Sequence, residues 1–166
     1  MKTEAQLVLL PETNDAIGRL EEKCRRMVTR RAALSAGAAA VPIPGIDIAA
    51  DLKLFKNLIE DINTEFGLTP AQIGRLQPQL KALAYRAVAG VGGMLVGKLV
   101  TRKLIVVLLK RTAGKQIAKQ ATKFVPLAGQ VVSAAIGFAA FRIIGNQHVD
   151  ACVTVARQVV KEKAAM

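Results

Sequence analysis

Apolar residues recur at helical spacing along most of the chain, and this pattern predicts an all-α fold. The clearest case is a helix from about Ile46 to Phe66, followed by Gly67 at the position where a glycine commonly ends a helix. Its apolar face is predicted to hold Leu52, Phe55, Ile59 and Ile62.

Further helices are predicted on both sides of this one. An N-terminal helix covers about 11–40, with a cap at Thr13, Asn14 or Asp15, and Thr69-Pro70 starts a short helix. Longer helices follow over 79–110, with a break near its glycines, and over 127–162, with a bend at Gly145-Asn146; a weaker amphipathic helix covers 112–124.

Two similar turns separate these helices. The sequence VPIPG at 41–45 recurs as VPLAG at 125–129, and in each copy proline ends one helix while glycine permits a tight turn. The surrounding residues are apolar, so both turns are predicted to be buried or membrane-facing. Two helical hairpins follow, with turns at Pro42, Pro44, Gly45, Pro126 and Gly129.

Composition supports close-packed helices. Apolar residues make up 52% but aromatics only 4%, without tryptophan, so the core depends on aliphatic side chains and alanine. We expect one domain over 1–166, with an amphipathic helix region at 1–29 and a helical module at 30–160, in a compact bundle of five to six helices. The two cysteines, Cys24 and Cys152, have no spacing typical of a disulfide framework, which favours reduced thiols in a cytosolic compartment and leaves a single bridge open. The N-terminus is not typical of a signal peptide.

The positive charge lies in the centre of the chain. The net charge is +12, and from Phe66 to Val149 there are twelve lysines and arginines but no acidic residue. This imbalance favours an anionic partner. Nucleic acid is disfavoured, because Tyr85 is the only tyrosine and the lysines alternate with apolar runs. An anionic bilayer fits better, with contacts expected from Lys98, Arg102, Lys103, Lys110, Arg111, Lys115, Lys119 and Lys123.

Small residues recur at every fourth position in two predicted helices. The stripes are Ala89, Gly93 and Gly97, and Gly129, Ser133 and Gly137. Such stripes permit close helix packing either in a membrane or in a soluble bundle, and both interpretations stay open. The uncharged segment 124–141 is at the lower limit for a bilayer of about 30 Å, so a re-entrant hairpin, a surface helix and a core helix also stay open.

No residues form a recognisable catalytic or metal site. GGMLVGKL at 92–99 resembles part of a phosphate-binding loop, but Leu99 stands where Ser or Thr would bind magnesium, and a helix is predicted before it. His148 and Cys152 are four residues apart without a second pair, so a surface or partly buried pair is expected instead of zinc. The acids Asp47, Asp51, Glu60, Asp61 and Glu65 are expected to pair with the basic first helix or to face solvent. No enzyme activity and no cofactor are predicted.

The segment 30–68 carries a family resemblance. Its Ala-rich helix, V-P-(I/L)-P-G turn, Asp-containing helix and closing Phe66-Gly67-Leu68 resemble the helical domain behind the GTPase domain of immunity-related GTPases. They also resemble a bacterial family of unknown function found alone or behind Era-like GTPase domains. The resemblance covers about 30–160 and implies an all-helical fold that associates with membranes or regulates a GTPase. This chain has no nucleotide-binding domain, so the GTPase would be a separate partner.

Three functions follow as hypotheses. The leading one is a non-enzymatic protein that binds or partly inserts into anionic membranes through its basic centre and apolar hairpins. A second is a membrane-permeabilising effector that forms homo-oligomers through the small-residue stripes. A third is a soluble adaptor for a separate GTPase. The expected location is the cytoplasm, at or partly inserted into the membrane.

Overall fold

The computed structural model describes residues 10–38, 47–92, 94–98, 100–101, 104–105, 107 and 129–165. Within these ranges the secondary structure is helical, without strands, which confirms the predicted all-α class. The helices are α1 (Asn14–Ala38), α2 (Asp47–Glu65), α3 (Pro70–Gly74), α4 (Pro78–Gly90) and α5 (Gly129–Ala164).

Side-chain and glycine caps fix the ends of the first three helices. Thr13 caps α1, since its Oγ1 accepts a hydrogen bond from the Ala16 amide at 3.2 Å. Gly67 ends α2 with φ 69°, while the amides of Gly67 and Leu68 donate to the carbonyls of Thr64 and Asn63 in a Schellman arrangement. Thr69 and Gln72 form a capping box on α3. These three predicted boundaries are confirmed.

Helix α4 is shorter than the sequence predicts. It ends at Gly90, and Gly97 has φ 65°, a left-handed conformation that no helix interior contains. The predicted break near the glycines is confirmed. The prediction that Ala89 and Gly97 belong to one stripe on a single helix is wrong, because the helix ends between them. Gly93, the third residue of that stripe, lies outside the described residues. A β-carbon on Gly97 would lie 3.1 Å from Val88, so this turn packs closely against α4.

Helix α5 is the longest element, with 36 residues. It continues through Gly145 and Asn146, and Gly129, Ser133 and Gly137 all belong to it at four-residue intervals. Within the described residues, no helix has both the length and the apolar composition needed to cross a bilayer.

The chain divides into two compact units built from separate segments. The first unit takes its residues from Met1–Cys24, Ile59–Leu99 and His148–Met166, and the second from Arg25–Leu58 and Val100–Gln147. The predicted single domain of 1–166, with regions 1–29 and 30–160, stays a prediction beside this division.

Each unit has its own apolar core. In the first, Ile59 and Ile62 of α2 are fully buried, as the helical spacing predicts, and so is Phe66, the residue directly after the helix. In the second, Phe55 meets Phe141 edge to face with ring centroids 4.9 Å apart. Leu52, predicted on the same face of α2, lies in a part of the helix whose side chains are not described.

Ion pairs surround the core of the first unit. Lys23 of α1 and Glu65 of α2 are 2.7 Å apart, so the predicted pairing of α2 acids with the first helix is confirmed for Glu65. Three other pairs are Lys163 with Glu12, Arg157 with Glu21, and Arg86 with Glu162. Because each pair includes an exposed side chain, solvent screens the attraction and each pair stabilises the fold only weakly.

Candidate functional site

A polar cluster lies in the core of the first unit, and we call it the Asn63 cluster. It consists of the side chains of Asn63, His148 and Cys152 and the main-chain carbonyl of Leu95. Asn63 is in the last turn of α2, His148 and Cys152 are on successive turns of α5, and Leu95 lies in the loop after α4. Three separate segments of the chain therefore meet at this cluster.

Hydrogen bonds through Asn63 hold the cluster together. The Asn63 amide nitrogen donates to the Leu95 carbonyl at 3.0 Å, which leaves Oδ1 as the acceptor for His148 Nε2 at 3.0 Å. The Cys152 thiol donates to the same oxygen at 3.7 Å and lies 3.8 Å from His148 Nε2. His148 is thus the neutral tautomer protonated at Nε2, and within the described structure its Nδ1 has no hydrogen-bond partner.

Burial keeps the side chains of His148, Cys152 and the neighbouring Cys24 uncharged. His148 is completely buried, and the loss of solvation lowers its pKa to about 3. Burial also raises the pKa of the Cys152 thiol well above its ordinary value, and the neighbouring Cys24 thiol adds to this effect. Burial, then the charge of Glu65, raises the pKa of Cys24 to about 12.

These pKa shifts make His148 and Cys152 unreactive as a base and a nucleophile. A cysteine nucleophile requires a lowered thiol pKa beside a histidine that holds the proton, and both shifts here have the opposite sign. Within the described residues, no group of three histidine, cysteine, aspartate or glutamate side chains could hold a metal ion. The arrangement is that of a neutral, hydrogen-bonded core network.

The expected surface or partly buried position of His148 and Cys152 is wrong. Both side chains have no exposed surface, because the face of α5 that carries them packs in the core with Val155. The spacing in the sequence placed the two residues on one face but could not say which face was buried.

Asn63 was not identified from the sequence. It lies four residues after Ile59 and three before Phe66, on the same apolar face of α2 as the buried Ile62. A polar residue in such a face indicates a buried hydrogen-bonding group, and this was the available signal.

The residues predicted to contact anions are mostly outside the described part of the chain. Lys98 is described, and it is exposed in the turn after Gly97. The turn residue Gly129 is the first residue of α5. Outside the described residues lie Arg102, Lys103, Lys110, Arg111, Lys115, Lys119, Lys123, Pro42, Pro44, Gly45 and Pro126. The segment before Gly92 is helical, as predicted, where a phosphate-binding loop follows a strand.

Net charge is divided unequally between the two units. The segments of the first unit contain ten acidic and ten basic residues and are neutral overall. Those of the second contain two acidic and fourteen basic residues, so this unit carries the whole excess of +12. Its basic residues include Arg25, Arg26, Arg30 and Arg31 of α1, which precede the central region in the sequence.

The residues that carry the family resemblance are only partly described. Phe66, Gly67 and Leu68 form the end of α2 and the loop after it, with the glycine in the left-handed conformation, whereas the turn at 41–45 lies outside the described residues. The resemblance accordingly stays a prediction. No family model matches the chain, and no curated protein or solved structure matches it either.

Proposed function

We propose that this chain is a non-enzymatic helical protein that associates with, or partly inserts into, anionic membranes. The observation that carries the proposal is the division of charge, with a neutral first unit and a second unit of charge +12. A net charge concentrated in one part of a protein attracts and orients it toward an oppositely charged surface. An anionic bilayer presents such a surface, and each lysine or arginine close to it contributes about 1 kcal/mol.

The two units have different parts in this proposal. The first unit has the hydrogen-bonded Asn63 cluster in its core and ion pairs at its surface. In this proposal it is a structural scaffold that does not contact the membrane. The second unit supplies the basic residues, and its sequence contains the two predicted Pro-Gly turns, which we propose as apolar tips. The complete chain would form a compact bundle of five to six helices located at the cytoplasmic membrane surface.

Vesicle flotation tests this proposal. The full chain is mixed with vesicles of phosphatidylcholine alone or of phosphatidylcholine with phosphatidylglycerol, at low and high salt. We expect recovery with the anionic vesicles and a loss of binding when salt screens the charges. Equal recovery with both vesicles, or none with either, would contradict the proposal.

Membrane permeabilisation by homo-oligomers is a second candidate. The observation that favours it is that Gly129, Ser133 and Gly137 belong to one continuous helix, where they form a stripe of small residues. Release of a trapped dye from anionic vesicles would support it. Tight vesicle binding without dye release would instead leave the chain as a membrane-binding protein.

A soluble adaptor for a separate GTPase is the third candidate, and it depends on the resemblance at 30–68. A monodisperse monomer that is indifferent to lipid would support it. Such a monomer would contradict the two membrane proposals.

A further inference from the structure

One face of the second half of α1 is exposed along its whole described length. The exposed residues are Arg26, Thr29, Arg30, Ala33 and Leu34, and we call them the Arg30 face. They recur at intervals of three and four residues and therefore form a continuous stripe. The opposite side of the same turns, with Val28 and Ala32, is fully buried.

The Arg30 face combines positive charge with an exposed apolar side chain. Leu34 is 64% exposed, the highest value among the exposed large apolar residues of the described structure. It lies one turn after Arg30, and α1 contains no acidic residue after Glu22. Earlier in the same helix, by contrast, exposed Asp15 and Glu22 accompany Arg19 and Lys23, so that part of the surface is electrically mixed.

We infer that the Arg30 face is a contact surface for an anionic bilayer, an inference that rests on the proposed function above. An arginine with an adjacent leucine is suited to the membrane interface, because leucine enters the acyl region while the guanidinium stays among the phosphates. Val107, 53% exposed, adds a second apolar residue to the same unit. The membrane contact thus extends to α1 and is not confined to the basic centre of the chain.

Charge-matched variants separate a specific surface from general attraction. Arg30→Ala and Arg19→Ala remove the same charge from exposed positions of the same helix, one on the Arg30 face and one in the neutral first unit. Leu34→Ala is matched by Tyr85→Ala, which removes a 47% exposed side chain from the first unit. Circular dichroism and chemical denaturation would check that each variant is folded.

The measurement is the partition coefficient of each full-length variant on phosphatidylcholine–phosphatidylglycerol vesicles. We expect Arg30→Ala to weaken binding about fivefold and Leu34→Ala about tenfold, whereas Arg19→Ala and Tyr85→Ala change it less than about twofold. The Leu34 effect should persist at high salt, where the Arg30 effect decreases.

The possible failures are distinguishable. If the native chain binds anionic vesicles and both pairs of variants weaken it equally, the Arg30 face is not the contact surface, although the proposed function stands. If the native chain binds no vesicle, both proposals are overturned. If Arg30→Ala and Leu34→Ala leave vesicle binding unchanged but abolish retardation of a DNA duplex, the partner of this face is nucleic acid and the bilayer assignment is wrong.

Discussion

His148 Nε2 lies 3.0 Å from Asn63 Oδ1, although the two residues are 85 positions apart in the chain. This bond joins α2 to α5 in the core of the first unit. Asn63 also donates to the Leu95 carbonyl, so one side chain satisfies polar groups from two other segments. The arrangement makes Asn63 the residue on which the cluster depends.

Replacing Asn63 with alanine should therefore be costly. Asn63→Ala leaves the His148 N–H and the Leu95 carbonyl buried without a partner, and we expect the free energy of unfolding to fall by about 3 kcal/mol. Urea denaturation measures this loss. Asn57→Ala is the matched control on α2, since Asn57 is exposed, and it should change stability by no more than about 0.5 kcal/mol. Equal effects of the two substitutions would show that the cluster does not stabilise the fold.

Stability should decrease as the pH falls through the range in which free histidine titrates. The pKa of His148 is about 3 in the folded chain against 6.5 for an unperturbed histidine, so the unfolded chain binds the proton more tightly. The contribution of uncharged His148 to the free energy of unfolding is complete above about pH 6.5 and is lost as the pH falls toward 3. From pH 7.5 to 5.5 we expect a loss of about 1.4 kcal/mol.

The control for this pH dependence is His148→Gln, which keeps a nitrogen donor near the position of Nε2. His148 is the only histidine of the chain, so the substitution should remove most of the slope in this pH range even where it lowers stability overall. Denaturation curves at several pH values measure the slope. An unchanged slope in His148→Gln would mean that another group is responsible.

The two cysteines should be almost unreactive in the folded protein. Both are buried, and the pKa of Cys24 is raised to about 12, so its reactive thiolate is about a thousandfold rarer than in an ordinary cysteine. With a thiol-specific reagent, we expect slow modification in native buffer and two equivalents in denaturant. Thr154→Cys places a thiol at an exposed position of α5 as a positive control. Rapid loss of two further thiols from the folded variant would contradict the burial of Cys24 and Cys152.

Local sequence patterns predicted much of the fold. The caps at Thr13 and Thr69 and the glycine at position 67 act within a few residues, and α2 was predicted to within one residue at each end. The period of the apolar residues likewise identified the buried face of α2. These features are determined by near neighbours, which a sequence displays directly.

The remaining features depend on distant contacts. The four-residue spacing of Ala89, Gly93 and Gly97 is typical of helix packing, but Gly97 is a left-handed residue in a turn packed against Val88. The burial of His148 follows from the packing of one face of α5 in the core, where Asn63 accepts its hydrogen bond, and no local pattern of residues predicts either contact. The neutrality of the first unit also depends on which segments assemble, whereas the sequence alone shows only that the excess of positive charge lies in its centre.

Replacing Gly145 or Gly18 with alanine should change the free energy of unfolding in opposite directions. In the second unit, a β-carbon on Gly145 of α5 would lie 2.8 Å from Val28 Cγ1 and 3.4 Å from Leu58, closer to Val28 than packed carbon atoms approach. Gly145→Ala should therefore lower the free energy of unfolding by about 1–3 kcal/mol, despite the better helix propensity of alanine. Gly18 of α1 is exposed with nothing within 4 Å of its added β-carbon, so Gly18→Ala should raise the free energy of unfolding by about 0.5–1 kcal/mol.

Thermal and urea denaturation of both variants measure whether each substitution raises or lowers the free energy of unfolding. A stabilising Gly145→Ala would mean that α5 does not pack closely against Val28. As an internal check, Val28→Ala in the Gly145→Ala background removes the clashing methyl groups and should recover part of the loss.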